Sequence, residues 1–183
     1  AARCLTASVN HGIDNIREGM SEIELAGEIM SVSHKMGSEY TAYPIFISSG
    51  RESGRRGHHA ASTNTIKQDE LIFIETGCCI QRYHVAKMHT VYFPTWRQPE
   101  WFTLLKECIT ASVRDVKKIA RPNTPSHMID QFMRTRIEEV LGKHGTMHPR
   151  SAYSIGIGFC QDWKDSDTLV VNNQSTFLLK ENM

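Results

Sequence analysis

The sequence predicts an α+β fold in which a curved antiparallel sheet is flanked by helices and two similar halves follow one another. Three observations carry that prediction. Apolar residues at helical spacing occur in two pairs of segments, one ending at Gly37 and one filling residues 99–145. Strand patterns follow each pair. The two helix-to-helix joints, "IREGMSEIE" and "IARPNTPSHM", resemble each other, which suggests an internal pseudo-twofold.

The elements follow in order. Ala1 to Arg17 is the first helix by its apolar spacing. "SEIELAGEIMSVSHKMG" is the second, with a capping box from Ser21 to Glu24 and a stop at Gly37. "AYPIFISSG" alternates as a strand and leads into the polar loop "RESGRRGHHAASTNT". "LIFIETGCCIQRYHVAKMHTVYF", Leu71 to Phe93, is a hairpin with a single acid, Glu75, in an otherwise apolar strand. "PEWFTLLKECITASVRDVKKIA" is a long amphipathic helix stopped before Pro122. The next helix has Thr124 as N-cap, Pro125 at its first position and Gly142 near its end. "SAYSIGIGF", "TLVVN" and "STFLL" have the look of strands. The chain stops directly after the last of these, at "STFLLKENM", so a domain incomplete at its C-terminus is expected to span 1–183.

Composition excludes several classes of function. The 183 residues are 40% hydrophobic and 22% charged, with a net charge of +1 and the two signs interspersed. No basic patch invites nucleic acid or a membrane surface. No apolar run approaches the roughly 18 residues of a membrane span, and the N-terminus lacks a signal peptide's apolar core, so a cytoplasmic protein is expected. Cys4, Cys78, Cys79, Cys108 and Cys160 have no metal-ligand spacing, and Cys78 and Cys79 are expected as buried, reduced thiols.

"QDELIFIETGCCIQRYHVAKMHTVYF" resembles the strand pair of the methionine aminopeptidase, prolidase and creatinase superfamily, and the repeated helix-helix-strand order is similar to its pita-bread fold. That superfamily's metallopeptidases hold two divalent ions with two aspartates, a histidine and two glutamates. Matched position by position, this chain has Glu75 for the first aspartate, Ala86 for the second, Tyr153 for the histidine and Lys180 for the first glutamate. The resemblance therefore implies no metal and no other cofactor. Glu75, the Arg-Tyr-His triplet at 82–84, "YSIGI", Asp162-Trp163 and "STF" resemble one metal-free branch, the ectoine hydrolases. Departures from that branch are "FCQ" before Asp162, "KD" after Trp163, "KMHT" after the triplet, and Leu178 in place of a histidine.

The resemblance implies hydrolysis of a C–N bond in a small cyclic amidine, with ring opening to an N-acetyl diamino acid. Glu75 is expected to pair with the cationic N–C–N unit and then to act as nucleophile or general base. His84, His58 and His59 are the candidate proton donors, since an imidazole titrates near neutrality. Tyr153 is a candidate hydrogen-bond donor, Arg82 and Arg150 are candidates for the substrate carboxylate, Trp163 is a candidate wall that stacks on the cation, and Tyr83 and Asp162 are further candidates for substrate binding. An acid at a strand end paired with Arg82 is the structural alternative for Glu75. A catalytically inactive binding domain is the alternative function, and an Xaa-Pro aminopeptidase a third. The resemblance also implies a homodimer acting on a small molecule.

Overall fold

Ala2–Asp14 forms α1, whose apolar stripe of Cys4, Leu5, Val9 and Gly12 is buried. It ends at Asn15, earlier than the pattern predicts, where the backbone N–H and the side-chain amide both donate to the His11 carbonyl, at 3.2 and 2.8 Å. Glu22–Lys35 forms α2, entered through the expected capping box between Ser21 and Glu24 and left through Met36 and Gly37, at φ +93°. The two helices approach closely at Gly12, where a Cβ would meet Ile29 Cγ1 at 2.4 Å.

The computed structural model describes residues 1–54, 58–142, 145, 147–148, 150–158, 162–164 and 169–183, and divides them between two compact units. The first unit is Ala1–Gln98 with Ile155–Asp165, and the second is Pro99–Ser154 with Ser166–Met183. Cys160 and the "FCQ" segment lie outside the described residues.

In the first unit β1 (Phe46–Ser49), β2 (Glu70–Ile80) and β3 (Tyr83–Phe93) form an antiparallel sheet in that order. Register places Phe46 opposite Glu75, Glu75 opposite Met88, Gly77 opposite Ala86 and Cys79 opposite His84. Ile72 and Ile74 point to α2 and pack with Leu25 and Ile29, and Cys78 packs with Cys4, Leu5 and Val9 of α1. Strand alternation therefore sends Phe73, Glu75, Gly77 and Cys79 to the opposite face. All four residues of β1 are buried, so its alternation marks two covered faces rather than a wet one. Gln81 and Arg82 close the hairpin at φ +52° and +67°, a turn that matches the strand twist although neither residue is glycine.

The second unit repeats the order of two helices followed by antiparallel strands. α3 (Glu100–Ile119) and α4 (Ser126–Leu141) precede β4 (Ala152–Tyr153) and β5 (Val170–Val171). Pro125, not Thr124, is the N-cap of α4, because the Thr124 hydroxyl is engaged with the Ile119 carbonyl at the end of α3. The expected strands are short here. "STFLL" makes no regular strand, since residues 177–179 spend their backbone bonds on 123–126.

At the joint between helices both units build one backbone ladder. In the first, Gly19 N–H donates to Ile66 O at 2.9 Å, Ile66 N–H to Met20 O at 2.9 Å and Glu22 N–H to Asn64 O at 3.0 Å. In the second, Asn123 donates to Leu179 at 2.8 Å, Leu179 to Thr124 at 2.9 Å and Ser126 to Phe177 at 2.9 Å. Gly19 and Asn123 both take the left-handed conformation that starts the ladder, at φ +80° and +68°. The internal repeat suspected from the two joints is thus a repeat of hydrogen bonds as well as of element order.

Candidate active site

Glu75 sits mid-strand on the face of the sheet turned away from α1 and α2, and is only 2% exposed. It does not pair with Arg82: register puts Met88 opposite it, and Arg82 lies in the turn, ion-paired with Glu39 and 5.5 Å over the Tyr40 ring. A carboxylate this far from water keeps its charge only against a cation or hydrogen-bond donors. The His58 imidazole stands at ion-pair distance from it, with Nε2 3.5 Å from Glu75 Oε1 and a side chain 59% exposed. The imidazole thus connects a buried acid with solvent.

Aromatic rings wall this pair. The His58 ring stacks on Phe46 at 4.9 Å and lies parallel to Tyr43 at 6.5 Å. Trp163, buried, meets Tyr43 edge-on at 4.8 Å. It also lies over Gly77, where a Cβ would stand 3.1 Å from Trp163 Cε3 and 2.9 Å from the Val85 carbonyl. Gly77 is on the Glu75 face, so the absence of a side chain there lets the indole reach the sheet beside the acid.

Asp162 is committed to the turn that presents Trp163. Its Oδ1 accepts from the Trp163 and Lys164 N–H groups at 2.8 and 2.9 Å. Burial works to raise its pKa. The Lys164 amide and charge, the Trp163 amide and the Tyr43 hydroxyl outweigh burial and hold the carboxyl below its ordinary value.

His84 is buried on the same face, opposite Cys79, four residues beyond Glu75 and so about 13 Å along the strand at ~3.3 Å per residue. Its Nδ1 lies 3.3 Å from the Gly156 carbonyl, its ring 5.4 Å from Tyr40, and its buried Nε2 has no partner among the described residues. His59 Nε2 is likewise buried without one, while its carbonyl accepts from Ile47 N–H at 3.1 Å. Tyr83 is exposed and bridges to Ile157. The structure therefore brings Glu75, His58 and Trp163 together and places His84, Arg82 and Tyr83 toward the hairpin end. Arg150 and Tyr153 belong to the second unit, with the Arg150 guanidinium 4.9 Å over the Tyr153 ring. Phe46, Tyr43 and Gly77 went unpredicted. Only Phe46 carried a signal, its alternation in β1.

The comparisons agree with this architecture. Residues 1–183 match the metallopeptidase family M24. The chain belongs to that family. An Xaa-Pro dipeptidase of Pyrococcus horikoshii is 27% identical over 134 residues, which are 72% of this chain and 37% of that protein. One of Pyrococcus furiosus is 26% identical over the same shares. The chain thus spans 37% of the length of the curated relatives it matches. The solved prolidase from Pyrococcus furiosus superposes with a TM-score of 0.83 at 21% identity, over 100% of this chain and 51% of that one. An X-Pro aminopeptidase from Thermotoga maritima gives 0.82 at 19%, over 98% and 48%. The family fold is the pita-bread fold, and this chain has it.

Among the described residues the donor set does not suit the divalent ions that the family name implies. A hard cation takes several oxygen or imidazole ligands. Among the described residues no three His, Cys, Asp or Glu side chains come together to hold one. Ala86 faces Gly77 and puts a methyl group where a second carboxylate would have to stand. Tyr153 and Lys180 occupy the other positions at which the resemblance places ligands, and neither is a carboxylate or imidazole. In the second unit a groove of about 830 Å³ runs along α4 past Met128 and Phe132, with no acid or histidine in its lining. No helix among the described residues is long and apolar enough to cross a membrane.

Proposed function

We propose that the complete protein is a metal-independent hydrolase of C–N bonds in a small cyclic amidine, similar to ectoine hydrolase. The observation that carries this reading is Glu75, buried on the sheet face with the half-exposed His58 imidazole 3.5 Å from its carboxylate and that ring stacked on Phe46. A planar amidinium fits between rings and pairs with one carboxylate through two charge-assisted hydrogen bonds, which gain strength where water is excluded.

Chemistry follows from the same pair. Glu75 takes a proton from water as the water oxygen bonds to the central amidine carbon. The leaving nitrogen then accepts the proton taken up by Glu75, the ring C–N bond breaks, and the added hydroxyl gives up its remaining proton to become the amide carbonyl. His58, open to solvent on one side, carries protons to and from this step. His84 and His59 are the alternative donors. Trp163 is the stacking wall, with Asp162 holding its turn. Arg82, at the hairpin end of the first unit, is a candidate for the substrate's carboxylate, and Tyr83 beside it for substrate binding. The substrate is a small molecule rather than nucleic acid or membrane, and the working form is a homodimer in the cytoplasm.

The names of the curated relatives favour a second reading, an Xaa-Pro dipeptidase, whereas the donors gathered among the described residues do not form a site for its metal. The deciding experiment is turnover of ectoine and related amidines by the complete protein after exhaustive chelation, beside Glu75→Gln. Turnover that survives chelation and is lost in the variant supports the proposal. Cleavage of an Xaa-Pro dipeptide that needs added metal replaces it with the peptidase reading. Turnover of neither leaves a binding scaffold.

A further inference from the structure

The segment that carries His58 leaves β1 at Ser49 and returns alongside it, bridging Phe46 through Ala60. Its two ends meet on one carboxylate. Glu22, the first residue of α2, is 4% exposed. Its Oε1 accepts from Ser49 N–H at 2.8 Å, the Ser49 hydroxyl at 2.9 Å and the Asn64 amide at 3.1 Å. Its Oε2 accepts from Ser62 N–H at 3.2 Å and the Ser62 hydroxyl at 2.7 Å. Asn64 also donates to Ser49 Oγ at 2.8 Å, fifteen positions back along the chain.

The second unit says what this acid is not for. Its ladder closes through the same backbone bonds with Ser126 in the place of Glu22, and Ser126 Oγ has no partner among the described residues. The helix joint therefore does not need a carboxylate. All five bonds to Glu22 come instead from the two ends of the histidine-bearing segment.

We propose that Glu22 is a positioning residue, which clasps Ser49 to Ser62 and Asn64 and thereby sets His58 against Glu75. Its catalytic meaning rests on the hydrolase reading, whereas the geometry does not. Burial alone would raise the Glu22 pKa. The Ser62, Asn64 and Ser49 donors outweigh it and hold the carboxyl below its ordinary range, so the clasp is ionised and closed at neutral pH. His58 itself sits at φ +65°, a conformation uncommon for residues other than glycine although histidine is among those that take it more often.

The test compares Glu22→Gln with Glu24→Gln in the complete protein, the second removing a charge from the same helix start without touching the segment. The readout is the His58 ring resonance by 1H–13C NMR, identified by its loss in His58→Asn, with Glu75→Gln as reference. We expect Glu22→Gln to move that resonance as Glu75→Gln does, and Glu24→Gln to leave it in place. Amidine turnover should fall in kcat on the order of 100-fold, as misplaced catalytic groups do, with KM changed by less than about twofold. Ser62→Ala, which deletes one donor and keeps the carboxylate, gives a smaller shift of the same kind and serves if Glu22→Gln unfolds. A folded Glu22→Gln or Ser62→Ala protein whose His58 resonance matches the parent's overturns the proposal. A displaced resonance in a protein whose parent turns over no amidine supports the clasp and removes the hydrolase reading.

Discussion

Glu75 in the first unit and Asp130 in the second are both buried acids, and they are surrounded differently. Asp130 on α4 is fully buried and accepts from Arg134 Nε and Nη2 at 3.0 Å each, with the Ser151 hydroxyl as a further donor. Arg134 goes on to Glu138 and to the His148 carbonyl, so the charge is neutralised within a closed network. Glu75 faces an imidazole that is itself open to water and stacked on Phe46. A fork of guanidinium bonds leaves a carboxylate nothing further to do; an exposed titratable ring leaves it able to exchange protons. Equal burial therefore separates a structural acid from a candidate catalytic one only when the partners are named.

That contrast can be broken at several points. Glu75→Gln is expected to lower turnover about 10³-fold, the range of a lost general base, without lowering the urea unfolding midpoint. A loss of stability in place of activity would put Glu75 in the same class as Asp130. Asp130→Asn should show the reverse and cost about 3 kcal/mol in urea titrations, because it leaves Arg134 without its bidentate partner.

Glu22 sharpens the comparison through pH. Its folded pKa lies below the ordinary 4.5, so its stabilisation is fully present above that value and is lost as pH falls through the folded value. The urea midpoint of the parent should therefore drop in acid, and Glu22→Gln should flatten that limb. The smallest effect belongs to Arg82→Ala. Its pair with Glu39 is half exposed, and such pairs contribute little to stability. A rise in KM without a change in stability would show that Arg82 serves substrate rather than the hairpin.

Much of the fold was legible because it is local. The Ser21 capping box, the Gly37 stop, the Glu75 strand and its hairpin partner each depend on residues a few positions apart, and they stand where the patterns put them. The strands after residue 150 did not follow. An apolar alternation such as "STFLL" states a readiness to pair but not a partner, and its backbone bonds went to the helix joint. Glu75 was legible as an acid out of place among apolar neighbours, and Asp162-Trp163 as a motif whose first member turned out to support the second.

By itself the sequence determined the helices, the hairpin, the repeat of two halves and the acid at the centre of the candidate site. Capping, periodicity and composition act over a turn or two of chain, where the residues concerned are neighbours in any fold. Only the tertiary structure decided that His58 rather than His84 stands beside Glu75, that Gly77 makes room for Trp163, and that Glu22 gathers both ends of the loop. Those are contacts across strand register and between distant segments, and a polar group buried by the whole fold takes whichever partner the fold brings within hydrogen-bond reach.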